Sequence, residues 1–432
     1  MEGCVEPQHS REVSFDTHAG RQHNRRSLGP HPTRRLMKLK CLPEDFRVTE
    51  LTDRPTHGRG SFAIYRLTKQ SLGTPEAIDA ILRRWNLARQ QVSYGGLKDR
   101  HAVTEQFVTI KNGPRSDLSQ TSLDLNYLGQ TDRPFDAADL IGNRFTLVLR
   151  SMSDAEIASA EQALSDVAVN GVANYFDDQR FGSLGQSGEF IAVPWCRGDY
   201  ERALRLALAD PNEHDRPDDR QEKQLLRDRW GDWLGLKTDM PRGSRRSIVT
   251  FLVDHPTDFR RALALMRSDL RGLWLSAFQS AVWNRLLAES LREICRPEQL
   301  FEVEFGERPS PFFHTLDDLQ RGELLDLRLP LPSARLKLES GPPFDRLQRV
   351  LAEFGLEPRT MRVKFPRDAF FSKGQRAAIY VPANVQLQSD RDELYEGRSK
   401  LTLSFDLPRG SYATILIKRL TETASGNATK RA

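Results

Sequence analysis

The 432-residue chain has few cysteines, and its four, Cys4, Cys41, Cys196 and Cys295, lie far apart. No two have the spacing of a metal-binding pair. The nine histidines form no His-x-x-x-His pair or similar cluster, so no metal site is expected. No apolar run approaches the roughly 20 residues that span a bilayer, and no signal-peptide core follows Met1. A P-loop, a dinucleotide fingerprint, a Ser-His-Asp pattern and an internal repeat are also missing, and Gly58-Arg59-Gly60 is an isolated Gly-x-Gly. A reduced, cytoplasmic protein without cofactor or membrane segment is the simplest expectation. Charge of one sign is scarce too. The net charge is +5, and residues 1–40 carry eight Lys or Arg against four Asp or Glu. The remainder is nearly neutral, so any nucleic-acid site must be a local patch.

The length allows a large core and two domains. Residues 1–36 hold Gly, Pro, His, Arg and Ser without apolar periodicity and read as a disordered basic tail. Met37 stands directly before the first patterned block, as a misplaced start would leave it. Phe46, Val48 and Glu50 alternate with polar neighbours as in a strand, and Ser61–Thr68 alternates again. Thr74-Pro75-Glu76 predicts a helix start with Thr74 as N-cap, the helix running to about Trp85. Asn143–Arg150 reads as a strand, and Ser153 caps a helix to Val169. Tyr200–Ala209 reads as helical, and the polar stretch from Pro211 as a loop entering a helix at Gln221. Further helices are expected over Trp274–Ile294 and Pro342–Phe354. A strand over Leu401–Leu407, a Pro408-Arg409-Gly410 turn and a helix from Ser411 end the pattern.

One stretch stands apart. Tyr94-Gly95-Gly96-Leu97-Lys98-Asp99-Arg100-His101 opens on two glycines and runs into a β-rich segment, Gln106–Ile110. Asp99 should therefore sit on a shaped loop with Lys98 and Arg100 beside it. A carboxylate close to cations stays ionised. That suits a nucleophile or a stabiliser of developing positive charge better than a general acid. A solvated turn with a local ion pair has the same spacing.

Six blocks in order carry a resemblance. They are Lys40-Cys41-Leu42-Pro43-Glu44-Asp45-Phe46, the Gly96–Gln106 stretch around Asp99, and Gly142-Asn143-Arg144-Phe145. Asn174-Tyr175-Phe176-Asp177-Asp178-Gln179-Arg180-Phe181-Gly182, Leu275–Ser280 and Phe405–Thr414 follow. Together they resemble the motifs of the TruD family of pseudouridine synthases, from Lys40 to about Leu420. The resemblance implies an α+β fold with a mixed, largely antiparallel sheet. Residues 37–170 and 376–425 would form a discontinuous catalytic domain, residues 171–375 an inserted α/β domain, and the RNA cleft would lie between them. It implies that a uridine in the D arm of tRNA, at position 13, is isomerised to pseudouridine without cofactor.

By the same resemblance Asp99 is catalytic. Phe46, Asn143, Phe145 and Tyr412 contact the substrate, and Lys40 orients Asp99. In a strand or after a turn, Phe46, Phe145 and Tyr412 are otherwise ordinary core aromatics. Asp177 stands where the family motif has Gly, a change Asp tolerates if φ is positive. Pro241–Arg271 carries seven Arg against three Asp. That stretch is either a solvated face or a phosphate-tracking surface, so Arg245 and Arg246 are candidate RNA contacts, as is Arg180 in the Asn174–Gly182 block. The alternatives are a non-catalytic RNA-binding protein on the same fold and an N-glycosidase that releases free uracil. Oligomeric state is not fixed, with a monomer favoured.

Overall fold

The computed structural model describes residues 37–54, 58–213 and 215–429, so the expected tail of residues 1–36 lies outside the described residues. The chain divides into two compact units. One holds the described residues up to Val169, Val381–Ala413 and those from Leu420; the other holds Asn170–Tyr380 with Thr414–Arg419.

The first unit is built on a ten-stranded sheet. Its main path runs Ala383–Arg391, Ser399–Pro408, Gly142–Met152, Phe46–Leu51, Val103–Lys111, Phe62–Gln70, Leu123–Thr131 and Leu118–Gln120. One neighbouring pair, Phe46–Leu51 with Val103–Lys111, is parallel, and the others are antiparallel. The expected α+β fold with a mixed, largely antiparallel sheet is therefore what forms. Register decides what shares a face. Val48 lies opposite Phe145 and Glu50 opposite Asn143, while Phe405 pairs with Phe145 and Leu407 with Asn143. Directly opposed residues project to one side. That side collects Phe46, Val48, Glu50, Phe145, Leu147, Leu403 and Phe405, all buried. Another part of the sheet is covered by the helix Thr74–Trp85. Its Ala77, Ile78 and Ile81 pack on Ala63, Tyr65, Leu67, Val108, Ile110 and Leu125. Each buried aliphatic side chain contributes roughly 1.5–3 kcal/mol.

The entry to this sheet is pinned by charge. The Arg150 guanidinium donates to both Asp45 oxygens, the closest at 2.8 Å, and to Asp392 Oδ1 at 3.0 Å. All three residues are buried. Removing one partner of such a cluster costs on the order of 3–5 kcal/mol, because a charge is left uncompensated. Asp45 in the Pro-Glu-Asp-Phe block is thus structural.

Local signals were followed with some shifts. Ser153 Oγ accepts the Glu156 N–H at 3.3 Å, and Glu156 Oε2 accepts the Ser153 N–H at 2.7 Å, a reciprocal cap. Thr74 is the first helical residue rather than the cap, and Gly73 takes the cap position. The Thr74 hydroxyl is drawn away: it donates to Gln106 Oε1 at 2.9 Å and accepts the Lys98 N–H at 3.0 Å. The last helix begins at Ala413, not Ser411, because the Ser411 N–H closes the turn onto Pro408 O at 3.2 Å.

The second unit is mostly helical. Its longest helix, Ser268–Ile294, buries Trp274, Phe278, Trp283 and Leu287 among many others. Three two-stranded ladders accompany the helices: Leu300–Val303 with Ser310–Phe313, Arg328–Pro330 with Gln375–Ala377, and Val172–Ala173 with Ile379–Tyr380. The polar stretch becomes helical at Pro217 rather than Gln221. Pro217 is accepted at the first position, and Asp218 and Asp219 favour the positive end of the helix. Asp177 has φ −91°, so the position needs no left-handed backbone. Its carboxylate is buried against Lys418 Nζ, which also reaches Asp178 Oδ2 at 2.5 Å.

Candidate active site

The Asp99 loop joins the short strand Val92–Tyr94 to Val103–Lys111. Gly95 lets it pass Phe135, whose ring edge a Cβ would meet at 3.0 Å. Polar side chains then fix its path. Thr74 receives the Lys98 N–H, Gln106 Nε2 donates to Gly96 O at 3.2 Å, and Lys69 Nζ donates to Asp99 O at 2.8 Å and Leu72 O at 2.7 Å.

Both oxygens of the Asp99 carboxylate are engaged. Oδ1 accepts the His101 N–H at 3.0 Å, and Oδ2 meets Lys40 Nζ at 2.5 Å. The side chain keeps 22% of its surface open. Burial pushes its carboxyl up, but the Lys40 charge and hydrogen bond, with the His101 N–H, together hold it below the ordinary carboxylate range. The Lys40 ammonium also lies 4.0 Å from the centre of the Phe46 ring. Phe46 meets Phe145 edge-on at 6.3 Å, and Phe145 stacks on Phe405 at 5.8 Å. A fixed anion, its cation and three aromatic rings thus share one corner of the sheet.

The expected cations beside Asp99 go elsewhere. Lys98 turns to Glu50, with Nζ 2.9 Å from Oε1 at an angle that makes no hydrogen bond, and donates to Asn143 Oδ1 at 2.7 Å. Arg100 pairs with Glu76 at 3.0 Å on the surface. Glu50 is anchored in turn by the Phe107 N–H, 2.8 Å from Oε2. Because an ammonium only donates, Lys98 fixes the Asn143 amide with its oxygen inward and its NH2 free to turn outward.

The other expected residues are dispersed. Tyr412 is half-buried and follows the turn at Gly410, whose φ is +86°. That turn leaves the strand end where Leu407 pairs with Asn143. Arg180 lies in the second unit, its guanidinium 5.4 Å from the Phe176 ring centre and 3.4 Å from Ser276 Oγ. Arg245 and Arg246 are not the open cations that the Arg-rich stretch suggested. Arg245 is held by Asp219 at 2.8 Å and Glu222 at 3.0 Å, and Arg246 Nε donates to Lys237 O at 2.7 Å.

Two residues the sequence reading passed over are central. Lys69 is fully buried, yet its ammonium donates to backbone carbonyls, those of Leu72 and Asp99. Burial lowers its pKa to about 8, against the opposing pull of Asp99 and Glu76. Glu50 holds Lys98. The signal for both was parity: Lys69 is in phase with Ala63, Tyr65 and Leu67, and Glu50 with Phe46 and Val48, so alternation points each charge inward.

A model of the TruD family, tRNA pseudouridine synthase D, matches residues 33–420. The chain belongs to the TruD family. It is 30% identical over 393 residues to the tRNA pseudouridine synthase D of Leptospira interrogans, covering 88% of this chain and 95% of that one. With the tRNA pseudouridine synthase D of Aquifex aeolicus it shares 28% over 391 residues, covering 89% and 98%. A solved TruD structure from Methanosarcina mazei shares its fold, with a TM-score of 0.68 at 24% identity over 89% of this chain and 93% of that one. The chain is thus a pseudouridine synthase of the TruD type, and the family's tRNA chemistry is what the Asp99 corner must be measured against. Among the described residues no group of three or more His, Cys, Asp or Glu is placed to hold a metal ion, and no helix is long and apolar enough to cross a membrane.

Proposed function

We propose that this TruD-family chain isomerises a uridine in the D arm of tRNA, at position 13, with Asp99 as the residue that acts at C1′. The observation that carries the reading is the Asp99 carboxylate, kept ionised by Lys40 yet still partly open, beside the Phe46–Phe145 rings.

The reaction breaks the C1′–N1 bond, turns the uracil and forms C1′–C5. One proton leaves C5 and one is taken up at N1, so nothing is consumed. A stacked uridine is out of reach and must be flipped, which costs a few kcal/mol. Phe145, wedged between Phe46 and Phe405, supplies a rigid aromatic wall for the flipped base. Asn143 turns its amide N–H groups toward a uracil carbonyl, because Lys98 occupies its oxygen. Tyr412 and Phe46 border the same substrate. Asp99, as an anion, either bonds to C1′ or stabilises positive charge there and takes the adjacent sugar proton. Uracil leaves as a delocalised anion, so no second carboxylate is required as acid.

The test is one incubation of purified protein with an unmodified tRNA transcript in EDTA buffer, followed by carbodiimide labelling and primer extension. A new stop in the D arm, absent with Asp99→Asn, is expected. A stop that persists in Asp99→Asn removes Asp99 from the chemistry. Free uracil in the supernatant would make the protein a glycosidase. Deuterium at C2′ of the target uridine separates the two routes, since only proton abstraction there slows.

A further inference from the structure

The second unit contains a cavity of about 660 Å³ with no part in the reaction described above. Its lining brings four cations, Arg197, Arg359, Arg362 and Lys364, against one carboxylate, Glu357. Glu357 is already taken by Arg359, at 2.6 Å. Among the described residues, Arg362 and Lys364 enter no ion pair and no side-chain hydrogen bond. Several other arginines of this unit are neutralised: Arg245, Arg285, Arg308 and Arg346 each meet a carboxylate.

The cavity wall is held in shape. Trp195 Nε1 donates to Phe365 O at 2.9 Å, the Ala334 N–H donates to Met361 O at 2.9 Å, and Leu356 and Met361 are buried beneath. Gly355 has φ +59°, and a Cβ there would strike Arg197 Nη2 at 2.3 Å. The glycine makes room for that guanidinium, which donates to Phe354 O at 2.5 Å. The Cys196 thiol, pushed up to about 12 by burial, stays neutral and adds no negative charge.

We propose that this cavity binds a phosphodiester of the RNA backbone through Arg362 and Lys364, with Arg197 and Arg359 completing the positive wall. The proposal rests on the reading that the chain acts on tRNA. A phosphodiester matches the site because it brings one full negative charge and several acceptor oxygens to a guanidinium fork and an ammonium. Such a contact holds the RNA in register without reading its sequence.

The test compares the full chain with Arg362→Ala/Lys364→Ala, binding a labelled unmodified tRNA transcript between 50 and 300 mM salt. Losing two phosphate contacts should weaken binding about tenfold and make the plot of log affinity against log salt shallower by ~1–2. The loss should fall in KM rather than kcat, and Arg362→Lys/Lys364→Arg should restore the slope. An unchanged affinity and slope, while the wild type still forms pseudouridine, overturns this proposal and leaves the catalytic reading standing. A wild type that neither binds nor modifies tRNA overturns both. Inorganic pyrophosphate is the second probe. If it binds the wild type and not the variant while the RNA slope stays equal, the cavity serves a small anion and the RNA assignment falls.

Discussion

Replacing Lys40 by Met tests the electrostatic core of the site. The stem still covers the Phe46 ring, since a thioether packs well on an aromatic, so the fold should hold. What disappears is a charge 2.5 Å from Asp99 Oδ2. At an effective dielectric near 20 the gross attraction is about 7 kcal/mol. The two side chains are 20% and 22% exposed, so screening and the cost of partial burial leave a net effect of only ~1–3 kcal/mol. Burial, the largest influence on Asp99, is then opposed by the His101 N–H but no longer by Lys40, and the carboxyl pKa rises. A carboxylate whose folded pKa is depressed stabilises the fold above its unfolded pKa and loses that contribution as pH falls through the folded value. In the wild type the acid limb of kcat/KM therefore lies below the ordinary carboxylate range, and in Lys40→Met it moves up. At pH 7.5 Asp99 remains ionised in both, so the loss there measures orientation, ~10–100-fold. Single-turnover rates from pH 4.5 to 8 on a tRNA transcript give both numbers. A variant slowed by the same factor at every pH would refute the claim that Lys40 sets the ionisation of Asp99.

Lys98→Met frees the Asn143 amide to flip and leaves Glu50 buried without its cation, so kcat/KM should fall ~10–100-fold; a wild-type rate on the transcript would separate Asn143 from substrate positioning. Lys69→Met removes the donor to Asp99 O and Leu72 O, and hydrogen exchange over residues 95–102 should accelerate while tRNA affinity holds; unchanged exchange would show the loop is held by other bonds. The same variant changes the pH dependence of stability. Between about 8 and its ordinary value Lys69 binds its proton more in the unfolded chain, so wild-type stability gains with rising pH there, and melting curves of Lys69→Met should lack that gain. Asp45→Asn leaves Arg150 without its bidentate partner, and chemical denaturation should show a loss of ~3–5 kcal/mol; a loss below ~1 kcal/mol would mean that Asp392 and Glu393 compensate the guanidinium.

The strands and the Asp99 loop were legible because alternation and glycine are local signals. Phe46–Leu51, Phe62–Gln70 and Gly142–Met152 follow the period of two, and the loop lies where two glycines precede a β-rich run. The partners were not legible. Lys98 and Arg100 flank Asp99 in sequence, but successive loop residues point apart, and each found a carboxylate on another element. Lys40 reaches Asp99 because the strand that follows it pairs both with Gly142–Met152 and with Val103–Lys111, a register that no short window contains. The Arg-rich stretch misled for a related reason. The acidic partners of Arg245 sit on Pro217–Asp228, a segment whose first turn had read as exposed loop.

Three lysines surround the Asp99 loop, and the structure gives each a different electrostatic fate. Lys98 is neutralised by Glu50, so it aims Asn143 while adding almost no net field at the carboxylate. Lys69 has no carboxylate bonded to it and bonds carbonyls, which can also accept, more weakly, from a neutral amine, so its lowered pKa lets it shed charge and still reach the loop. Lys40 alone keeps an ion pair with Asp99, at a position still partly open to solvent. Aim, backbone path and charge are thereby assigned to separate side chains. The ionisation of Asp99 then depends on Lys40 with the His101 N–H, while the backbone path of the loop depends on Lys69 with Thr74 and Gln106.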